Sequence, residues 1–417
     1  METISNFVFS VGVIIFAAHL FTALFERTRI PDVLPLIFIG ILVGPVLKII
    51  SPNDFGYVGP LLSAVALTLM LFEGGSHLTL DILKKSLKDS VVLSLTTFIL
   101  TLIISITITY NFIGYDIKPS IFIGSVLGSI SPAVVVPIVK MLNLSDKTKS
   151  TLVVESAITD VLSIIIALGI LKTFQSNQNS ILEFIGSKLI GSIFMSIIVG
   201  FCGAVIWSII LEKIRKFPNT IFTSLAFIFL IYGLSENFGY SGPITVLIFG
   251  ISLANSDKIP INIVQKFGTD HLTEFTNIEK TLFSEVIFLV KTFFFIFLGI
   301  SIQFSNFKIV VFAIVLTITI YIGRLLATRF LYPKDTSISE VAMISFIIPK
   351  GLAAAVLAEV PMHMDLPLEI LPMFIEIRAI IYMIILFSIL LTAILIYLQE
   401  SGISNKRYRK IFHRFNN

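Results

Sequence analysis

Gly128-Ser-Ile-Ser-Pro-Ala-Val-Val-Val-Pro137 interrupts a long apolar run with two prolines, a glycine and two serines. Pro349-Lys-Gly-Leu-Ala-Ala-Ala355 interrupts another, far along the chain. Proline lacks the N–H that a helix interior needs and clashes with the preceding turn, so neither run continues as one regular helix. The surroundings of both breaks read as membrane. The chain has 417 residues, of which 56% are hydrophobic and 13% charged, with a mean hydropathy of +0.98. Soluble domains carry roughly a quarter charged residues. The apolar residues come in repeated blocks of about twenty, enough to cross a hydrocarbon core of roughly 30 Å at about 1.5 Å per residue. Thirteen such blocks are candidate spans. The first follows an acidic residue and lacks a small-residue cleavage site, so it reads as a retained helix rather than a signal peptide.

Charge placement gives the expected orientation. Of the 30 Lys and Arg, only Lys291, Arg324 and Lys350 fall inside spans. Most of the others lie on one set of alternate connections, such as Arg27, Arg29, Lys84, Lys85, Lys147 and Lys149, and on the tail from Lys406 to Arg414. The opposite set holds Lys48, Lys118, Lys172, Lys188, Lys308 and Arg378. This bias puts the basic connections and the C-terminus in the cytoplasm. With an odd number of spans the N-terminus is outside, and the location is the cell (inner) membrane. The net charge of +4 therefore belongs beside lipid headgroups and implies no nucleic-acid partner. The short tail is expected to anchor to anionic lipid. The longest connection, about 256–283, is expected to carry an amphipathic surface helix. The one cysteine, Cys202, lies in an apolar block and makes no disulfide framework.

The two breaks fall in the fifth and twelfth spans, seven apart. That offset divides the chain into two six-span repeats, and because seven is odd the repeats are inverted. Paired interruptions at matching places mark a secondary transporter whose half-helix ends face an ion cavity near the bilayer midplane. Open backbone at that depth must be buried in protein or line water. A weaker echo comes from the ends of spans three and ten, Leu71-Phe-Glu-Gly-Gly75 and Phe297-Leu-Gly-Ile-Ser301.

Span six carries Glu155-Ser-Ala-Ile-Thr-Asp160. Ionisable groups inside a span are costly and functional by default. At 3.6 residues per turn Ser156 and Asp160 lie about 40° apart on one face, while Glu155 points about 140° away from Asp160. Asp160 and Ser156 can thus face a cavity while Glu155 engages another partner. Arg324 is the natural one, being always charged and able to grip a carboxylate with two N–H groups. Lys350, between Pro349 and Gly351, can offset the carbonyl ends of two half-helices. Ser131 can supply a neutral oxygen from the matching break. Glu73, Glu285 and Lys291, near span ends, are expected to snorkel to headgroups. His19, His77, His271, His363 and His413 show no metal-ligand spacing, and no cofactor is implied.

These residues resemble those of the monovalent cation/proton antiporter superfamily, in its sodium/proton exchanger branch, over essentially the whole chain. Ile30-Pro-Asp-Val-Leu-Pro35 with Gly40 and Gly44-Pro45 is similar to the family's second helix. Leu71 to Gly75, Ser241-Gly-Pro243 to Gly250, and Phe294-Phe-Ile-Phe-Leu-Gly299 resemble later ones. The most specific match is Glu155 to Asp160, which resembles the family's Glu-Ser-x-x-Asn-Asp motif. The resemblance implies an all-α polytopic fold of about 13 transmembrane helices, as two inverted six-helix repeats with broken, crossing helices five and twelve. It implies a scaffold and dimerisation unit at 1–78, an ion-carrying core at 79–175, a linker helix and further scaffold at 176–306, a second core part at 307–399, and the tail at 400–417. It further implies that Asp160 takes cation and proton in turn, that Ser156 contributes an ion ligand, and that Glu155 and Arg324 form a structural pair. Ser131 and Thr159 complete the expected ion-binding oxygens. Two departures stand out: Thr159 replaces the usual Asn, and Ser131 stands where many sodium exchangers carry an Asp.

The expected activity is sodium/proton antiport in a homodimer, serving pH homeostasis, with sodium (or potassium) ion and proton as partners alongside membrane lipid. Burial disfavours a bare carboxylate, so a proton competes with the cation for Asp160. Potassium/proton exchange is the alternative, since Ser131 offers no charge. A non-transporting membrane sensor on the same scaffold is an alternative of another class, and an enzyme is not expected. Counting Glu73, Glu155, Asp160 and Glu285 against Lys291, Arg324 and Lys350 leaves one negative charge, which one proton or one cation would neutralise equally. Exchange is therefore expected to be electroneutral.

Overall fold

The computed structural model describes residues 9, 12–21, 23, 33–55, 58–76, 80–175, 190–215, 221–258, 275–302, 304, 306–332, 336–364 and 366–401. Among these the chain forms thirteen helical units. They are α1 (Gly12–Phe21), α2 (Val33–Val46), α3 (Val58–Ser76), α4 (Leu80–Ile108), α5a and α5b (Ile117–Gly128 and Pro132–Met141), α6 (Asp146–Gln175) and α7 (Ile190–Ile214). After them come α8 (Ile221–Asn237), α9 (Gly242–Ala254), α10 (Asn277–Ser301), α11 (Phe307–Leu331), α12a and α12b (Ile338–Phe346 and Leu352–Glu359) and α13 (Leu371–Glu400). Seven helical stretches of the described residues are long and apolar enough to cross a membrane, and the others are shorter apolar helices. The chain is an all-α polytopic membrane protein, and the fifth and twelfth units are broken where the sequence places the breaks. The surface helix expected within 256–283 falls mostly on residues outside those described. So do the basic tail beyond residue 401, Ile30-Pro-Asp32, and His77, His271 and His413.

Polar connections end in side-chain caps. Thr276 and Glu279 form a reciprocal capping box at the start of α10, while Asn306 and Ser337 accept backbone N–H bonds at the starts of α11 and α12a. Such caps satisfy the first N–H groups of a helix, which have no partner within it. At the other end of α4 the last turn widens to a π-helix, Thr109–Ile113, closed by Gly114 in the left-handed conformation at φ 84°. Glycine adopts that conformation without a Cβ clash.

Packing follows the repeat. α4 packs on α5a and α6, and α11 packs in the same way on α12a and α13; α4 and α11 touch each other. α2 packs on α10 and α3 on α9, two contacts that a seven-unit offset converts into one another. Both are made by glycine. A Cβ on Gly40 would strike the Ile296 carbonyl and the Gly299 Cα, and one on Gly299 would strike the Ile37 carbonyl and the Gly40 Cα. Gly75 and Gly250 are related likewise, facing the Leu247 and Phe72 carbonyls. Lipid tails are as apolar as leucine, so helices in a membrane gain from close van der Waals approach, and small residues allow it.

Gly299→Ala and Gly75→Ala should each force two backbones apart. Overpacking costs about 1–3 kcal/mol, so both variants should melt at lower temperature in detergent. Gly12→Ala, where nothing lies within 4 Å of the added carbon, should melt as the unaltered protein does.

Candidate functional site

The breaks meet. Ser131 N donates to the Pro349 carbonyl at 2.9 Å, so each open stretch completes the other's hydrogen bonding. Gly351 lies directly against the Ser131 side chain, where any Cβ would collide with the hydroxyl. α6 runs past this crossing with Glu155, Ser156, Thr159 and Asp160 at its level.

Glu155 is fully buried and its carboxylate is fully engaged. Arg324 on α11 donates to both oxygens, from NH2 to Oε2 at 2.7 Å and from NH1 to Oε1, and Thr97 Oγ1 donates to Oε1 at 3.1 Å. The Arg324 Nε and NH2 groups also donate to the Ile344 carbonyl at 3.1 and 3.0 Å. That carbonyl belongs to the last turn of α12a, where helix carbonyls lose their own partners. One guanidinium therefore ties α11, α6 and α12a together. The pair expected from the sequence is present, with an additional role at the break.

Asp160 differs. It is 3% exposed, and no protein group among the described residues bonds its Oδ1. The Ser131 Oγ is likewise buried without a partner. Both residues line one cavity of about 370 Å³, walled by α3, α5b, α6, α10 and α12b. A buried polar group without a hydrogen bond is costly, and two such oxygens on one cavity wall suit a hard cation or a proton. Lys350, 2% exposed, sits in the second break between Pro349 and Gly351. Its backbone N–H donates to Ser388 Oγ at 2.9 Å. Among the described residues no group of three or more His, Cys, Asp or Glu could hold a resident metal ion.

Two of the four expected ligand oxygens are placed elsewhere. Ser156 Oγ donates to the Val153 carbonyl at 2.8 Å, and the residue does not reach the cavity wall. Thr159 is turned to the first break. Its hydroxyl donates to the Glu155 and Ser156 carbonyls and accepts the Ile130 N–H at 3.2 Å. Both its proton and a lone pair are spent on backbone, so it braces the first break. Glu73 and Lys291 also depart from expectation, because both line the Asp160 cavity instead of reaching away from it. Glu285 is exposed.

The sequence reading missed a half-buried ion pair beside the second break. Glu359, at the end of α12b, accepts from Arg378 NH1 at 3.0 Å and from the Tyr382 hydroxyl, both on α13. Arg378 and Tyr382 are four residues apart and so share a helix face. That spacing was a readable signal, but nothing in the sequence links it to Glu359. The charge count changes accordingly: Glu285 leaves it, and Glu359 and Arg378 enter as a cancelling pair.

Removing one partner of a buried pair costs about 3–5 kcal/mol, because the other charge is left uncompensated. Glu155→Ala and Arg324→Ala should each lower thermal stability in detergent by that order, and the double variant should lose much less than their sum. Additive losses would mean that the two side chains do not interact.

Comparison with known proteins agrees with this architecture. The solved structure of a sodium proton antiporter from Methanocaldococcus jannaschii superposes with a TM-score of 0.72 over 96% of this chain and 98% of that one, at 24% identity. Among curated proteins, Na(+)/H(+) antiporter 1 of the same organism is 26% identical over 316 residues, covering 70% of this chain and 68% of the relative. Sodium/hydrogen exchanger 8 of Arabidopsis thaliana is 28% identical over 250 residues, 55% of this chain and 32% of that protein. The chain thus spans about two thirds of the first relative and a third of the second. The family model described as "Sodium/hydrogen exchanger, transmembrane" matches residues 14–397. With nearly its whole length inside that match, the chain belongs to the sodium/hydrogen exchanger family.

Proposed function

We propose that the chain exchanges sodium for protons across the cell (inner) membrane, at a single site centred on Asp160. One observation carries this reading: the unpartnered Oδ1 of Asp160 and the unpartnered Oγ of Ser131 sit on the wall of one cavity. A sodium ion in that cavity accepts both oxygens as ligands, with water completing its shell. A proton on Asp160 removes the carboxylate's charge and displaces the ion. Ser156, one turn before Asp160 on α6, is the further ligand this reading gives the cation once its hydroxyl turns from Val153 to the cavity.

Alternating access then has α4–α6 and α11–α13 carrying the site as one body against α1–α3 and α8–α10. The latter groups hold two copies together as a homodimer, with the N-terminus outside. The buried pair Glu155–Arg324 and the half-buried pair Glu359–Arg378 travel unchanged within the moving body, so the load at Asp160 decides the charge that moves. One proton or one monovalent cation gives the same total. Exchange is therefore one-for-one and electroneutral, whatever the fixed charges around it. Potassium is the second reading. Ser131 offers a neutral oxygen where a carboxylate would favour the smaller, harder ion, and a K(+)/H(+) antiporter of Shewanella sp. is 24% identical over 264 residues.

In everted vesicles loaded with a pH-sensitive dye, sodium should dissipate the proton gradient, with lithium and potassium giving the selectivity order. Asp160→Asn should abolish that response at matched expression and insertion. Normal exchange in the variant would overturn the reading. In proteoliposomes, a potassium/valinomycin potential should leave the initial rate of sodium-driven exchange unchanged. A rate that scales with the potential would mean that a second group carries charge.

A further inference from the structure

The first break is held by two hydroxyls of α6. Thr159 Oγ1 accepts the Ile130 N–H at 3.2 Å, and Ser163 Oγ donates to the Val126 carbonyl at 3.5 Å. The second break is held by two hydroxyls of α13. Ser388 Oγ accepts the Lys350 N–H at 2.9 Å, and Thr392 Oγ1 donates to the Phe346 carbonyl at 3.3 Å. The arrangements coincide residue for residue. In each, the hydroxyls are four positions apart on the unbroken helix, and the bonded peptide groups are four positions apart on the broken one. In each, the N–H acceptor gives its own proton back along its helix, Thr159 to the Glu155 and Ser156 carbonyls and Ser388 to the Ile385 carbonyl. The Tyr321 hydroxyl caps the α13 pair, within hydrogen-bond reach of the Ser388 carbonyl at 2.8 Å and of the Thr392 hydroxyl. This register places Ile389, fully buried, where α6 has Asp160.

We infer that Ser388 and Thr392 are positioning residues of the ion site, acting on Ser131 through the second break. They touch neither Ser131 nor Asp160. They fix the peptide groups on either side of Pro349, whose carbonyl accepts the Ser131 N–H, and so set Gly351 against the Ser131 side chain. The Ser131 hydroxyl can occupy its place on the cavity wall only while Gly351 holds this position. Letting the break relax moves that oxygen relative to Asp160 and weakens the cation without removing the carboxylate that takes the proton. The inference rests on the exchange reading and adds to it a pair of hydroxyls in the repeat that lacks the carboxylate.

The test uses the full chain, with Ser388→Ala and the near-isosteric Thr392→Val. Thr317→Val serves as control, because the Thr317 hydroxyl donates only to its own helix, at the Ala313 carbonyl. Apparent KM for sodium is measured in proteoliposomes. The sodium concentration at half-maximal thermal stabilisation is measured in detergent against choline at fixed ionic strength, a reading that needs no transport. Losing one internal hydrogen bond should raise both values about fivefold for Ser388→Ala and less for Thr392→Val, with Thr317→Val unmoved. A purely structural role would instead lower melting temperature and maximal rate at an unchanged KM, and that result overturns the inference. Asp160→Asn separates the two levels. If sodium still stabilises it, the exchange reading falls and the brace has no site to position. If that stabilisation is lost while Ser388→Ala and Thr392→Val stay within about twofold of the unaltered protein, the brace alone is overturned.

Discussion

Two stretches of open backbone must be satisfied in the middle of an apolar bundle, and most of the polar chemistry in this protein answers to that constraint. A peptide group with no partner in such surroundings is costly, and bulk water is not at hand to supply one. The breaks meet the demand partly through each other, at the bond between Ser131 and Pro349. Hydroxyls on the two unbroken neighbours, and Arg324 at the last turn of α12a, meet the rest. The crossing is consequently a joint construction. Neither break has a complete set of partners without the other, which explains why interruptions in the fifth and twelfth units go together.

Against that background, the buried charges divide by how fully they are answered. Glu155 has three donors on its two oxygens, and Glu359 has an arginine and a phenol. A carboxylate so well supplied has nothing to offer an ion. Asp160 has an oxygen left over and a cavity to point it at. The same side-chain chemistry is tied up at Glu155 and Glu359 and left open at Asp160, and the difference lies in the neighbours each was given.

Much of this was legible in the sequence. Length and placement of apolar blocks gave thirteen helical units, and proline with glycine located both breaks. The rotation of α6 separated Glu155 from Asp160, and the permanence of the arginine charge suggested Arg324 as its partner. The misses share a cause. A helical wheel says which residues share a face but not what that face meets, so nothing in it shows that Thr159 bonds the Ile130 peptide. Position within a span says how deep a charge sits but not which way it leans, so Glu73 and Lys291 were assigned to headgroups. Glu359 was overlooked because its partners come from another helix, and no local spacing announces a contact between helices. The glycines that press α2 on α10 and α3 on α9 were visible as letters, but their pairing depends on the fold.

The place of Ile389 opposite Asp160 in the repeat has an evolutionary consequence. The two halves remain mechanical copies, down to the hydroxyls that hold their breaks, while only one keeps the chemistry. On the proposed exchange reading, substitutions around Ser131 and Asp160 in the first half can alter the cargo while the second half stays as the frame. Divergence in what is carried and constancy in how it is carried then fall on different parts of one gene.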